Sequence, residues 1–425
     1  MASLVTSKFR VHNAQQFTEA FSETSNTIMY LFIGKNTAFP NDNVPPTPVN
    51  STANVEFTPW RDMYAAKRIT TSDVTHAVER YNWTSGTVYD QYDDQDTDLV
   101  DDDFYVMTED YNVYKCLFNV GAAASTTKPT GVSTSPFTTA DGYIWKFMYT
   151  VTTSKALKFL TNDYIPVQTL LSDDSTDQWD VQAAAVDGGI HVVKVTSGGS
   201  GYASAPVVTI AGDGTGATAT SVITANAVTS VVISAAGTGY TRATVTFASG
   251  AAAATAIISP KGGHGSDAIE ELGGKYIMLN VRLDGTESNT FSTANEFRQV
   301  GIVRDPYLYG TSTRAVASSF RQSFKYQLSS ISGTFTLDET ATSGSNTASV
   351  VEFTTPNLFT TLPLNLPFAN STNITGGTSG ANGTIAIITT PGLQPYSGDI
   401  IYVENRVPIA RANDQIEDVK LVIQF

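Results

Sequence analysis

GYIWKFMYTV, residues 142–151, is dense in aromatic and β-branched side chains and reads as a buried β-strand. Working outward, Phe104-Tyr105-Val106 and Val113-Tyr114-Lys115-Cys116-Leu117-Phe118 alternate enough to be its partners. Thr27 to Gly34 (TIMYLFIG) has the continuous apolar character of a strand covered on both faces. Tyr276–Val281, Gln299–Val303, Asp399–Val403 and Val419–Phe425 read as further strands.

The composition changes near residue 186. From Gly188 to about Ser259 charges almost vanish, and the segment repeats itself. Gly199-Ser200-Gly201-Tyr202 recurs as Gly237-Thr238-Gly239-Tyr240, Val208-Thr209-Ile210 as Val245-Thr246-Phe247, and Ala217-Thr218-Ala219 as Ala254-Thr255-Ala256. Each unit predicts strand, Gly-x-Gly turn with an aromatic plug, strand, turn, strand. Neither unit can bury a face alone, so the two should stack as a small sandwich or β-prism. Residues 326–397 form a second low-charge stretch rich in Thr, Ser and Gly. Helices are expected to be short: residues 13–24 capped by Asn13, one from Thr58-Pro59-Trp60, one capped by Ser72-Asp73 and running to Glu79, one after Ser154, and Asp267 to Gly274. The expected class is therefore mainly β: multi-domain, with antiparallel sandwich-type domains, a few short helices and an inserted Gly/Tyr β-repeat domain. The expected segments are 1–185, the repeat insertion 186–262, a central β region 263–325, a second Gly/Thr/Ser-rich insertion 326–395 and closing strands 396–425.

With 25 Lys and Arg against 40 Asp and Glu, the net charge is −15, which argues against a nucleic-acid-binding surface. Cys116 is the single cysteine, so no intramolecular disulfide and no cysteine zinc cluster can form. The N-terminal stretch lacks the apolar core of a signal peptide, and no apolar run is long enough for a membrane span.

The sequence holds no recognisable catalytic motif. His12, His76, His191 and His264 are scattered, and there is no nucleophile elbow or Walker loop; Gly212-Asp213-Gly214-Thr215-Gly216 lacks the Gly-Lys-Ser/Thr ending and reads as a turn. Glu270 and Glu271 are adjacent on a helix and point apart, so they make no catalytic dyad. Trp60, Trp83, Trp145 and Trp179 read as core or interface anchors. Residues 81–114 hold ten acids and no Lys or Arg, eight of the acids lying between Asp90 and Asp103. That run is either a solvated loop, a cation site lacking the usual Asp-x-Asp-x-Asp-Gly pattern, or a face that meets a basic patch on a partner. No cofactor is expected.

Six blocks, in order, resemble one family, the baseplate wedge protein (gene product eight) of T-even-type contractile-tailed bacteriophages. They are Val5-Thr6-Ser7-Lys8-Phe9-Arg10; Val113-Tyr114-Lys115-Cys116-Leu117; Asp141-Gly142-Tyr143-Ile144-Trp145; Asn162-Asp163-Tyr164-Ile165-Pro166-Val167; Phe297-Arg298-Gln299-Val300-Gly301-Ile302-Val303; and Gly398-Asp399-Ile400-Ile401-Tyr402-Val403-Glu404-Asn405-Arg406 with Pro408-Ile409, Asp414-Gln415 and Glu417. The resemblance covers about residues 1–180, 265–310 and 396–425, leaving the two low-charge stretches as insertions. It implies a structural virion protein, assembled in the host cytoplasm into the tail baseplate, where it forms a homodimer within each wedge and contacts other baseplate wedge subunits. It implies no catalytic residues. Tyr143, Trp145 and Tyr164 would be core or interface aromatics, and Glu404, Asn405 and Arg406 a conformation-fixing polar cluster or a wedge contact. Mostly neutral surfaces fit assembly, because interface centres are depleted of charge. The competing readings are a receptor- or glycan-binding tail appendage, motivated by the Gly/Tyr repeats, and a polysaccharide-degrading tail enzyme. The insertions are expected to be decorations, so that deleting 186–262 would leave a folded protein.

Overall fold

The computed structural model describes residues 3–23, 27–284, 295–365, 367–411 and 415–425. Strand accounts for 43% of the chain and helix for 12%, so the protein is mainly β, with several antiparallel sheets and few short helices. The chain divides into two compact units, Met1–Gln16, Thr75–Met278 and Val422–Phe425 forming the first and Phe17–Val74 and Leu279–Leu421 the second. This division cuts across the sequence segments. Residues 17–74 leave the N-terminal segment for the second unit, and the central segment splits after Met278.

In the first unit, the aromatic strand Ile144–Thr150 lies between Asn112–Phe118 and Phe137–Thr138, with Tyr105–Met107 beyond Asn112–Phe118. Successive side chains of a strand point to opposite faces. Tyr114, Cys116, Trp145 and Phe147 enter one apolar core with Tyr89 and Val181, while Val113, Leu117 and Met148 enter another with Phe104 and Ile165. Residues 76–79 pair with 164–167 in a further antiparallel ladder.

The repeat insertion solves its burial problem by exchange. Its third strands cross over: Thr215–Thr224 of the first repeat pairs with Ala227–Thr238 of the second, and Ala253–Ile258 of the second pairs with Ile190–Ser197 of the first. The equivalent residues Val193 and Val231 pair with each other at the centre of the four-stranded sheet. Val208–Gly212 pairs with Ala243–Phe247 to form the second layer, with Ile210 opposite Val245. Each tyrosine plugs the other repeat's turn. The Tyr202 hydroxyl accepts from Ala252 N–H (2.9 Å) and the Tyr240 hydroxyl from Ala217 N–H (3.3 Å). A Cβ on Gly250 would lie 2.3 Å from the Tyr202 hydroxyl oxygen, and one on Gly214 2.4 Å from the Tyr240 ring, so only glycine fits at either turn. The pairings also correct the sequence alignment of the third strands. Ala219 sits opposite Ile233 as Ala254 sits opposite Val195, so Ala219, not Ala217, is the counterpart of Ala254. A slip of two residues leaves every side chain on its own face, so alternation cannot detect it. The insertion is also rooted more deeply than a decoration, because Val192 and Ile257 belong to the core cluster of Leu117, Met148 and Tyr149.

In the second unit, Met29–Gly34 is the middle of a five-stranded sheet, flanked by Met63–Ile69 and then Ser319–Arg321 on one side and by Glu296–Arg304 and then Asp399–Ala410 on the other. All six of its residues are buried. The second low-charge stretch closes into a six-stranded barrel running from Phe324–Ser332 to Asn382–Thr389 around Tyr326, Val350, Leu358, Phe368 and Ile385. Closure removes both sheet edges, which suits a stretch with few charges to guard them.

The helices differ most from the sequence reading. The first spans Ser7–Glu19, with Asn13 in its interior. Trp60 is buried in a short helix, Thr58–Asp62, but this helix continues a π-helical turn, Ala53–Phe57, so Pro59 does not open the helical run as expected. Ser72-Asp73 initiates no long helix. Asp73 accepts from Thr70 N–H (2.8 Å) and closes only a single 3-10 turn, Thr71–Asp73. Val74–Glu79 then runs as a strand, because its β-branched residues are covered on both faces. Helix Asp177–Ala183, holding Trp179, was not foreseen.

Candidate functional site

The structure brings only some of the sequence-predicted residues together. Tyr143 and Trp145 are fully buried in the first unit and stack with ring centroids 5.4 Å apart and planes 15° from parallel. The Tyr143 hydroxyl donates to Ala123 O and accepts from Tyr89 N–H, which ties the start of the strand to two loops. Tyr164 belongs to a different cluster, half-buried with its ring 5.1 Å from that of Tyr276. Glu404, Asn405 and Arg406 lie in the second unit on the strand Asp399–Ala410.

There Asn405 is a bridge. Its Oδ1 accepts from Gln299 Nε2 (2.8 Å) and its Nδ2 donates to Pro46 O (2.8 Å), so the closing strand holds both its neighbouring strand and the Pro-rich loop. Arg406 donates to Glu404 Oε1 (2.8 Å) and to Lys420 O (3.2 Å), and Tyr402 donates to Glu404 Oε2 (2.7 Å). Glu404 and Arg406 are thus paired with each other. Arg298, from the resembling block at 297–303, donates to both carboxylate oxygens of Asp42 (3.0 Å each from Nε) and to Glu296 (2.7 Å).

Sequence reading missed a buried ionic centre in the first unit. Lys115 and Lys146 are directly opposite each other on adjacent strands and both are buried. Lys115 Nζ lies 2.9 Å from Glu271 Oε2, with the two side chains 0% and 2% exposed. Glu271 Oε1 accepts from Gly265 N–H (2.7 Å) and Asp267 N–H (3.2 Å). Lys146 donates to Thr134 O. Burial lowers the proton affinity of both lysines, and Lys146 is pushed down to about 8. The Lys115 ammonium sits 4.0 Å from the centre of the Tyr92 ring, a contact that favours a cation. His264 packs edge-on against Tyr92 and 5.5 Å from His191; its Nδ1 has no hydrogen-bond partner among the described residues and lies 3.9 Å from Glu271 Oε2. Burial keeps both histidines neutral, His191 at about 4. One signal was available: Lys115 shares the inward face of Val113 and Leu117, so its charge had to find a buried partner.

Beside His191 a cleft of about 810 Å³ opens in the same unit. The acidic loop forms one wall through Asp90, Asp93 and Asp96, and the repeat insertion forms the other. Asp93 pairs with Lys194 (3.1 Å), and Asp94 accepts from Ile258 N–H (3.1 Å). Burial, with the charge of neighbouring Asp90 adding to it, pushes Asp103 up to about 6. Among the described residues, no group of three or more His, Cys, Asp or Glu is placed to hold a metal ion.

No protein-family model matches the sequence, and comparison with curated proteins likewise gives no match.

Proposed function

We propose that this chain is a structural subunit of the baseplate wedge of a contractile phage tail, contributing to baseplate assembly and to the shape change that triggers sheath contraction. It works by geometry and not by turnover, as a homodimer within each wedge and in contact with other wedge subunits, in a virion assembled in the host cytoplasm. The observation that supports this reading is that resembling blocks far apart in sequence are neighbours in the sheets. In the second unit the 297–303 block lies along the closing block, with Val300 opposite Glu404 and Gly301 opposite Val403. In the first, Cys116 of one block is opposite Trp145 of another. Of the terminal block, Asp414 lies outside the described residues. The polar bridge of Asn405 and the Arg298–Asp42 pair brace the second group of blocks, as a load-transmitting part requires.

Mixing the purified chain with the other wedge proteins of its phage tests this. Size-exclusion chromatography with native mass spectrometry should show it entering a wedge complex as two copies, and electron microscopy should place it in the baseplate. A chain that stays apart from every wedge protein contradicts the proposal.

A further inference from the structure

The geometry points to the cleft of the first unit as a docking site for a basic, extended segment of a partner subunit, one in which Lys or Arg alternates with aliphatic residues. This inference takes only the source of the segment from the wedge reading; the chemistry of the site stands on its own.

The size comes first. At about 810 Å³ the cleft falls in the range that takes a drug-sized molecule or a short peptide. Its lining is of two kinds. Phe118, Ile144 and Val232 supply apolar surface, and Val232 remains 53% exposed. Asp90, Asp93 and Asp96 supply charge along one wall. Lys194 is the single lysine or arginine of the lining among the described residues, and Asp93 already engages it at 3.1 Å. Asp90 and Asp96 are exposed and carry no ion pair among the described residues.

Charge then selects the occupant. An anion would meet crowded carboxylates. A bare divalent cation needs several oxygens converging on one point, and the described acids do not converge. Elsewhere in the same acidic run, away from the lining, Asp94, Asp102 and Asp103 hold their protons more tightly than usual, chiefly because of burial, with neighbouring aspartates adding to it. An organic cation with an apolar stem can pair with Asp90 and Asp96 and cover the valine surface as well; a lysine or arginine side chain is both. The cleft also opens beside the join between Ile190–Ser197 and Ala227–Thr238, where Val193 opposite Val231 is the one registered pair among the described residues. Successive side chains of an extended segment point to opposite sides, so Lys or Arg can meet the acidic wall while the aliphatic residues meet the valine surface.

The test uses the full chain and the peptide acetyl-Lys-Val-Lys-Val-Lys-Val-amide, followed by isothermal titration calorimetry and hydrogen exchange. One peptide should bind per chain, about tenfold more weakly when NaCl is raised from about 50 to about 300 mM. Asp90→Asn with Asp96→Asn should weaken binding about tenfold; both sites are exposed and asparagine keeps the Oδ1 that Asp98 N–H uses. Val232→Arg, which fills the cleft with a competing cation, should abolish binding. Exchange should slow at 118–122 and 229–233. No binding, equal binding of the Glu-Val analogue, or binding untouched by both variants overturns the proposal. So does saturation of the same residues by calcium alone, or a dimer of this chain that buries the cleft without peptide. Failure here would not remove the chain from a wedge complex, and exclusion from the wedge would not abolish peptide binding, so the two proposals fail separately.

Discussion

In the first unit one acid serves two lysines; in the second one arginine serves two acids. Buried Glu271 pairs with Lys115, and its charge also acts on Lys146, the buried lysine directly opposite Lys115. Arg298 is 6% exposed in its side chain, but its partners Asp42 and Glu296 are 27% and 43% exposed. The difference teaches where each unit can tolerate error. A charge left over in the first centre has nowhere to go, whereas carboxylates left over in the second can turn to water. Buried ion pairs are weak devices for stability, but breaking one by removing a single partner is expensive.

The largest effect should therefore come from Glu271→Gln. Glutamine keeps an acceptor for the Gly265 and Asp267 amides but leaves two buried lysines without a counter-charge. A loss of about 3–5 kcal/mol is expected at neutral pH. Urea unfolding, read by hydrogen exchange in Asn112–Phe118 and Ile144–Thr150, measures it. Lys115→Met should cost less, because Glu271 keeps Lys146 nearby. The Glu271→Gln penalty should also shrink above pH 8, where Lys146 gives up its proton. Equal penalties for the two variants would break the comparison. In the second unit Arg298→Met should cost about 1.5–3 kcal/mol, the scale of charge-assisted hydrogen bonds lost while the acids rehydrate.

How far the sequence could be read follows from the same contrast. Strands announced themselves wherever apolar residues ran together, as in Met29–Gly34 and Ile144–Thr150, because burial on both faces leaves one kind of pattern. The repeat was legible as a repeat, but the exchange of third strands was not, since each half looks complete along the chain. Thr70-Thr-Ser-Asp73 carried a true capping signal, but local capping favours one turn and tertiary burial decided the next six residues. The division into units was hidden because its boundaries pass through chain segments with no change in composition. Of the candidate residues, Asn405 and Arg298 sit in blocks chosen from sequence. The Lys115–Lys146–Glu271 centre joins residues up to 156 positions apart and is visible only in three dimensions.

Two titrations sharpen the picture of the first unit, and they have opposite signs. His191 is held at about 4, below its ordinary 6.5, because burial disfavours the cation. As pH falls from 6.5 towards 4 the unfolded chain takes up a proton the folded one refuses, so stability drops over that window. His191→Gln should flatten this part of the melting-temperature profile. Asp103 is raised from 3.8 to about 6, chiefly by burial. Its ionised form costs stability above pH 6, and that cost fades as pH falls to 3.8. Asp103→Asn should then raise the melting temperature at pH 7 and leave it unchanged below pH 4. Scanning calorimetry of both variants across pH 3.5–8 checks the two slopes, and slopes of the same sign would contradict the placement of these groups.

The smallest effect belongs to the bridge in the second unit. Asn405→Ala removes an exposed bond to Pro46 O, which water replaces, and a part-buried one to Gln299, so about 1 kcal/mol is expected. Stability is the lesser readout. Asn405 is the side chain that fastens the Pro-rich loop to the closing strand, so its removal should free that loop without unfolding the sheet beneath. Hydrogen exchange should then quicken near residues 43–48 while Glu296–Arg304 keeps its protection. If exchange quickens equally in the strand, Asn405 supports the sheet rather than the loop. In that case the second unit stores its charged and polar groups as tightly as the first, and the contrast between them disappears.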